Sequence, residues 1–254
     1  MQDQRCSLFS FLLKLTSFLI LSLGVGFADG VVTHTFTFTG NFNDSQGGPP
    51  IVPTADHGTG SLATNPGFYT YDANQGLSLT SADFPDGTDY SIEFNVDLNS
   101  TSAYNKLLDF SGTTLDAGLY AHNFGLELFP DTPSSGTFTA GQFHVVVFTR
   151  DTAGNQIGYL DGMQVFATVA NPANTIIGAP GVFFFHDDAQ TGFNEASAGQ
   201  VHYIRTYNGA LSAAQVAALQ PPGNTSETPE PSTLVLLCSG IAGVAGRWRK
   251  KSTK

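Results

Sequence analysis

Between Val31 and Tyr207, apolar and polar positions alternate with a period of two, the spacing that sends successive side chains to opposite faces of a β-strand. Ile92, Phe94, Val96 and Leu98 are separated by Ser91, Glu93, Asn95 and Asp97, which predicts a strand with one buried and one solvated face. Phe124, Leu126 and Leu128 repeat the pattern. Residues 143–148, FHVVVF, are denser in β-branched and aromatic side chains and predict a central strand covered on both faces. GYLDGMQVF predicts two short strands joined at Asp161-Gly162, a dipeptide that accepts the positive φ angles of a type I′ turn. Residues 182–186 and 201–207 supply further strands. Turn residues recur regularly and nothing has the period of a long helix, so the expectation is all-β, a two-sheet antiparallel sandwich. One short helix breaks the pattern. Ser212 precedes AAQVAAL with Gln215 three residues on, a capping box; Leu211 and Val216 are spaced as its hydrophobic staple, and Pro221-Pro222 forbid continuation.

Both ends of the chain are apolar in a different way. Residues 1–14 carry positive charge, residues 15–25 are mostly apolar, and Gly26-Phe27-Ala28 offers small residues at a cleavage point. Residues 1–28 therefore read as a signal peptide, cut by signal peptidase between Ala28 and Asp29. At the other end a Pro-rich linker, residues 220–228, leads to Pro229-Glu230-Pro231-Ser232-Thr233, an apolar run over 234–246, and Arg247-Trp248-Arg249-Lys250-Lys251. As a helix the run is ~20 Å long, short of the ~30 Å hydrocarbon layer, and its flanking cations resist translocation. PEPST, a short transmembrane segment and a basic cluster, in that order, closely resemble the PEP-CTERM sorting signal, placed at residues 229–254 with Pro229, Glu230 and Pro231 as its motif. The resemblance implies a Gram-negative-type envelope, processing by an exosortase-type membrane enzyme with transient membrane insertion, and export to the cell surface or an exopolysaccharide matrix.

Charge separates these ends from the body. Of ten Lys and Arg residues, only Lys106, Arg150 and Arg205 lie between Asp29 and Glu230, against 20 Asp and Glu, leaving a net charge of −17. Such a body repels phosphate backbones, which excludes nucleic acid as a partner. The chain's two cysteines, Cys6 and Cys238, fall in the terminal segments, so no disulfide staples the body.

DYSIEFNVDL, KLLDF, FHVVVFTRDTAGNQIGYLDGMQVF and ASAGQVHYIRTYNGALSAAQVAAL, taken in order, resemble the LamG-like, concanavalin A-like jelly rolls, and residues 29–219 are assigned to one such domain. Phe143 stands where that family usually has Trp, His202 where an acidic residue is common, and Gln215 in place of Glu. The resemblance implies calcium at the sandwich rim. FFFHDDAQTGFNEAS is the densest polar stretch, and Asp187, Asp188 and Glu195 can offer a hard cation several oxygens from one loop. Asp161 reads as a turn former.

Catalytic signatures are missing: there is no Gly-x-Ser-x-Gly, no His-Glu-x-x-His and no Gly-rich loop before Lys-Ser/Thr. The row Glu93, Asn95, Asp97 resembles the carboxylate row of laminarinase-type hydrolases, but Asn95 interrupts it and the row opposes the apolar face, so it reads as solvated sheet surface. The six histidines, His34, His57, His122, His144, His186 and His202, are dispersed and read as strand or surface residues. Phe68, Tyr69, Tyr71, Tyr104 and Phe193 can stack on sugar rings wherever they line an exposed groove. The expectation is a non-catalytic, envelope- or matrix-associated module binding extracellular polysaccharide. The alternatives are a polysaccharide-active enzyme on the same fold and a purely structural matrix protein.

Overall fold

The computed structural model describes residues 30–219; the signal segment, its Ala28/Asp29 cleavage point, the linker and the Pro229-Glu230-Pro231 tail lie outside the described residues. Fourteen strands follow in order: β1 (Val31–Phe36), β2 (Val52–Pro53), β3 (Ser61–Thr64), β4 (Gly67–Tyr71), β5 (Leu77–Leu79), β6 (Tyr90–Leu98), β7 (Asn105–Asp109), β8 (Gly118–His122), β9 (Gly125–Phe129), β10 (His144–Arg150), β11 (Gln156–Leu160), β12 (Met163–Thr168), β13 (Val182–Phe184) and β14 (Gly199–Asn208). One α-helix, α1 (Ala213–Ala217), follows them. The strands form two antiparallel sheets. One runs β12-β11-β10-β6-β14-β4-β3, with β1 added on β14, and the other runs β2-β5-β13-β7-β8-β9. This is the all-β, two-sheet antiparallel sandwich expected from the alternation, with the jelly-roll architecture that the resemblance implies.

Between the sheets lies an aromatic-rich core. Ile92, Phe94, Val96 and Leu98 of β6 all point into it, and Phe94 meets Phe184 and Phe185 edge-on, with ring centroids 6.3 and 5.6 Å away. β10 is covered on both faces, as FHVVVF predicts. Val146 and Phe148 enter the main core, while Val147 joins Tyr159, Tyr207, Leu211 and Val216 in a second apolar cluster beneath α1. Ser212 and Gln215 close the capping box, and both staple residues, Leu211 and Val216, are buried in that second cluster.

The tight hairpin also forms as read. Asp161 and Gly162 have φ of 52° and 79°, the two positive angles of a type I′ turn. Asp161 does more than turn the chain: its carboxylate accepts hydrogen bonds from Val145 N–H (2.9 Å) and His144 Nδ1–H (2.7 Å), tying the turn to β10. An Asp161→Val variant puts a β-branched side chain at positive φ and loses both bonds, so its urea midpoint should correspond to a loss of about 1–3 kcal/mol.

Several boundaries differ from the pattern. Phe124 belongs to the turn between β8 and β9, with φ of 62° and more than half its surface exposed, so only Leu126 and Leu128 are strand residues. β13 stops at Phe184 because Phe185 takes a φ of 55°. The largest difference concerns the row opposite the apolar face of β6. Glu93 is fully buried, not solvated. It accepts hydrogen bonds from the hydroxyls of Tyr203 (2.8 Å) and Tyr207 and from Arg205 Nη1 (3.3 Å), on the side of the sheet that carries the second cluster.

Candidate functional site

A β-bulge builds the site. In a regular strand Lys106 and Asp109 would point to opposite faces, three residues apart. The register of β7 against β8 shifts between Lys106 and Leu108, so Leu107 and Leu108 both enter the core while Lys106 and Asp109 share the outer face. There the buried Lys106 ammonium donates to Asp188 Oδ2, to Asp109 Oδ2 (3.4 Å) and to the Leu115 carbonyl (3.4 Å), and lies 3.6 Å from Asp187 Oδ1. It also sits over the ring of Tyr120 at 5.1 Å.

The loop expected to offer calcium ligands is therefore turned inward. Asp187 and Asp188 are both 0% exposed, so neither carboxylate faces solvent at the rim. Asp188 Oδ1 accepts from the N–H groups of Gln190 and Thr191; Asp187 Oδ2 accepts from Thr191 Oγ1–H and Glu195 N–H. Asn74 braces the loop, accepting from Asp187 N–H and donating to the Phe193 carbonyl. Burial raises the Asp188 carboxyl, but the Lys106 bond and charge and the two N–H groups outweigh it, and its pKa falls below the usual aspartate value. The cation among these carboxylates is the lysine.

Glu195 behaves oppositely. Burial, then the charges of Asp116 and Asp187, push its pKa up to about 7, against the weaker pull of Lys106. Because the folded value lies above the unfolded one near 4.5, the native state holds this proton more tightly; that stability is complete below the unfolded value and is lost as pH rises towards 7. A Glu195→Gln variant should lose less melting temperature than the parent between these two pH values.

Across the sheet the face turns aromatic. Lys106, Tyr120 and Glu127 lie opposite one another on β7, β8 and β9. Tyr120 donates its hydroxyl to Asp116 Oδ1 (2.9 Å), and His122 Nδ1 donates to Glu127 Oε2 (2.7 Å). Tyr104 stacks on His122 with centroids 3.6 Å apart and planes 12° from parallel, and Phe129 meets Tyr104 edge-on at 5.5 Å. Tyr104, His122 and Phe129 remain partly open to solvent. On the other sheet Phe68, Phe143 and His202 form a smaller patch, Phe68 and Phe143 stacked at 5.3 Å. Tyr69 and Tyr71 are buried core residues, with almost no ring surface left for a sugar to stack on.

The structure thus brings together Asp187, Asp188 and Glu195, as the sequence suggests, but around Lys106, which sequence reasoning missed, and beside an aromatic patch of which it named Tyr104 but not His122 or Phe129. The signal was present: Lys106 is the only lysine between Asp29 and Glu230 and stands directly before the apolar pair Leu107-Leu108. The histidines are not isolated either. Five of the six contact a carboxylate, and His57 and His186 meet with ring centroids 5.4 Å apart.

Comparison with known proteins places this geometry. Residues 71–217, more than half of the chain, match the model of the concanavalin A-like lectin/glucanases superfamily, and residues 227–250 match the PEP-CTERM protein-sorting motif. No curated protein matches significantly. Among solved structures, domain 4 of AbnA, a GH43 extracellular arabinanase from Geobacillus stearothermophilus, aligns with a TM-score of 0.53 at 19% identity, over 75% of this chain and 98% of that one. The Trypanosoma rangeli sialidase aligns with a TM-score of 0.53 at 18% identity over 76% of this chain, which spans only 32% of the sialidase. The binding domain of botulinum neurotoxin serotype D aligns with a TM-score of 0.51 at 11% identity over 74% of this chain and 50% of its own. At these identities the likeness is one of fold. Among the described residues no helix is long and apolar enough to cross a membrane. The sorting motif implies secretion, sorting at the bacterial envelope and exosortase-type processing. The chain belongs to the concanavalin A-like lectin/glucanase superfamily, with a PEP-CTERM sorting motif following the sandwich.

Proposed function

We propose that the protein is a non-catalytic glycan-binding module, held at the outer surface or in the exopolysaccharide matrix, and that the outer face of the six-stranded sheet is its binding face. The observation that carries this is the stacked Tyr104–His122 pair beside Glu127, Asp116 and Glu195. A sugar ring presents an apolar C–H face and a rim of hydroxyls; an aromatic platform edged by carboxylates complements both. The arabinanase domain supports the reading, since it was solved with arabinotriose and the match spans nearly its whole length. All three cations of the body are engaged internally: Lys106 as above, Arg150 on the carbonyls of Thr88, Asp151 and Pro172, and Arg205 on Glu93. The glycan is therefore a neutral one, because an anionic polymer meets a body of charge −17 with no free cation offered on this face.

Calcium at Asp187, Asp188 and Glu195 is replaced in this reading by the Lys106 ammonium, so neither calcium nor a chelator should move the melting temperature through that loop. One observation favours a second reading, a polysaccharide-active enzyme: a carboxyl titrating near neutrality, Glu195, is the kind of group that serves as a general acid. A glycan array with the full chain, followed by reducing-sugar assays on every ligand found, separates the two. Binding of neutral polysaccharide without turnover is expected. Sugar release abolished by Glu195→Gln would establish the enzyme instead.

A further inference from the structure

A 310 turn, Ala55–His57, follows β2 and carries Asp56 and His57 up to His186, 130 residues away in sequence, just beyond β13. Asp56 Oδ1 and Oδ2 each lie 3.1 Å from His186 Nε2, and Asp56 Oδ2 lies 3.3 Å from His57 Nδ1. One donor atom from each residue falls within 4.8 Å of the other two. Hydrogen-bond chemistry fixes the tautomer of His186. Its Nδ1 is 2.7 Å from the Asp187 carbonyl oxygen, which only accepts, so Nδ1 carries the hydrogen and donates. In the neutral ring Nε2 is then a bare lone pair facing two carboxylate oxygens, an arrangement that needs a positive charge between them.

We propose that this charge is a divalent cation of the zinc class, held by Asp56, His57 and His186, with a fourth position open to water. Three further observations agree. Zinc–nitrogen and zinc–oxygen bonds of about 2.0–2.1 Å in a tetrahedron separate neighbouring donors by about 3.3 Å; Asp56 Oδ2 lies 3.1 Å from His186 Nε2 and 3.3 Å from His57 Nδ1, and the two histidine donors lie within 4.8 Å of each other. Two imidazole nitrogens with one carboxylate select zinc and its neighbours over calcium or magnesium, which prefer all-oxygen shells. The Nδ1–H···O=C bond of His186 is the outer-shell contact that orients a metal-binding imidazole. Phe193 walls one side, 4.7 Å from the His57 ring and 5.7 Å from the His186 ring, while Asp56 and His57 are exposed and leave an entry path. The metal would pin the β2–β3 connection to the loop that holds Asp187, Asp188 and Glu195, and so stiffen one end of the outer face.

The test uses the untagged full chain in detergent, stripped with chelator, and its Asp56→Asn and His57→Gln variants, both changed at exposed positions. Zinc at a hundred times its dissociation constant should raise the parent's melting temperature by roughly 5–11 °C, with no shift from calcium or magnesium. Cobalt(II) should give the intense visible bands of a four-coordinate ion, and each variant should bind at least tenfold more weakly. A parent with neither zinc shift nor cobalt bands overturns the site and leaves an imidazolium–carboxylate pair; equal binding by parent and variants overturns the assignment of its ligands. Neither readout depends on glycan, so failure here is separate from failure of the binding face.

Discussion

Replacing Lys106 by methionine should cost about 3–5 kcal/mol of stability and lower the melting temperature by roughly 6–20 °C. Methionine keeps most of the volume of the lysine stem, so the loss isolates the charge. What remains is Asp109, Asp187 and Asp188, all fully buried, with no cation among them. Removing one member of a buried charge cluster is expensive because its partners keep their desolvation penalty and lose their compensation. Two companion results identify the mechanism. The deficit should shrink as pH falls and the carboxylates take up protons, and adding Asp188→Asn to Lys106→Met should recover part of the loss, giving a non-additive double-mutant cycle. A deficit that is equal at all pH values would mean that lost packing, and not charge, dominates.

Glu93→Ala should be of similar size, about 3–5 kcal/mol. The glutamate accepts from Tyr203, Tyr207 and Arg205, and its removal leaves two buried hydroxyls and a guanidinium facing a cavity on the α1 side of the sheet. Burial and the Glu93 charge push both phenols well above their ordinary range, so they stay neutral donors throughout the physiological span. Chemical denaturation of the variant should show the loss directly. Glycan affinity of the protein that remains folded should be unchanged, because Glu93 belongs to the other sheet. Lost affinity at full stability would place the binding face on the eight-stranded sheet.

These two residues also show what the sequence could and could not reveal. The period-two alternation of β6, the Asp161-Gly162 turn and the Ser212–Gln215 box are local features, and each forms where it is read because its cause lies within a few residues. Glu93 was misread for the same reason. Alternation says which face a side chain takes, not whether that face is covered, and its cover comes from β14 and α1, more than 100 residues later. Asp187 and Asp188 were legible as a cluster, but the partner that turns them inward is Lys106, 82 residues earlier, delivered by a bulge with no pattern of its own. The aromatic face needs three strands in register before Tyr104, His122 and Glu127 become neighbours. Long-range pairing, not composition, decided the site.

The central claim is that glycan binds the outer face of the six-stranded sheet. The most direct measurement is calorimetric affinity of the full chain for a neutral array ligand, compared between Tyr104→Ala on that face and Phe68→Ala on the opposite sheet, each variant first shown to melt near the parent. Loss of the stacking platform should weaken binding at least tenfold, about 1.4 kcal/mol or more, in Tyr104→Ala, while Phe68→Ala binds as the parent does. Loss in Phe68→Ala with Tyr104→Ala unaffected, or no affinity of the parent for any glycan, would contradict it.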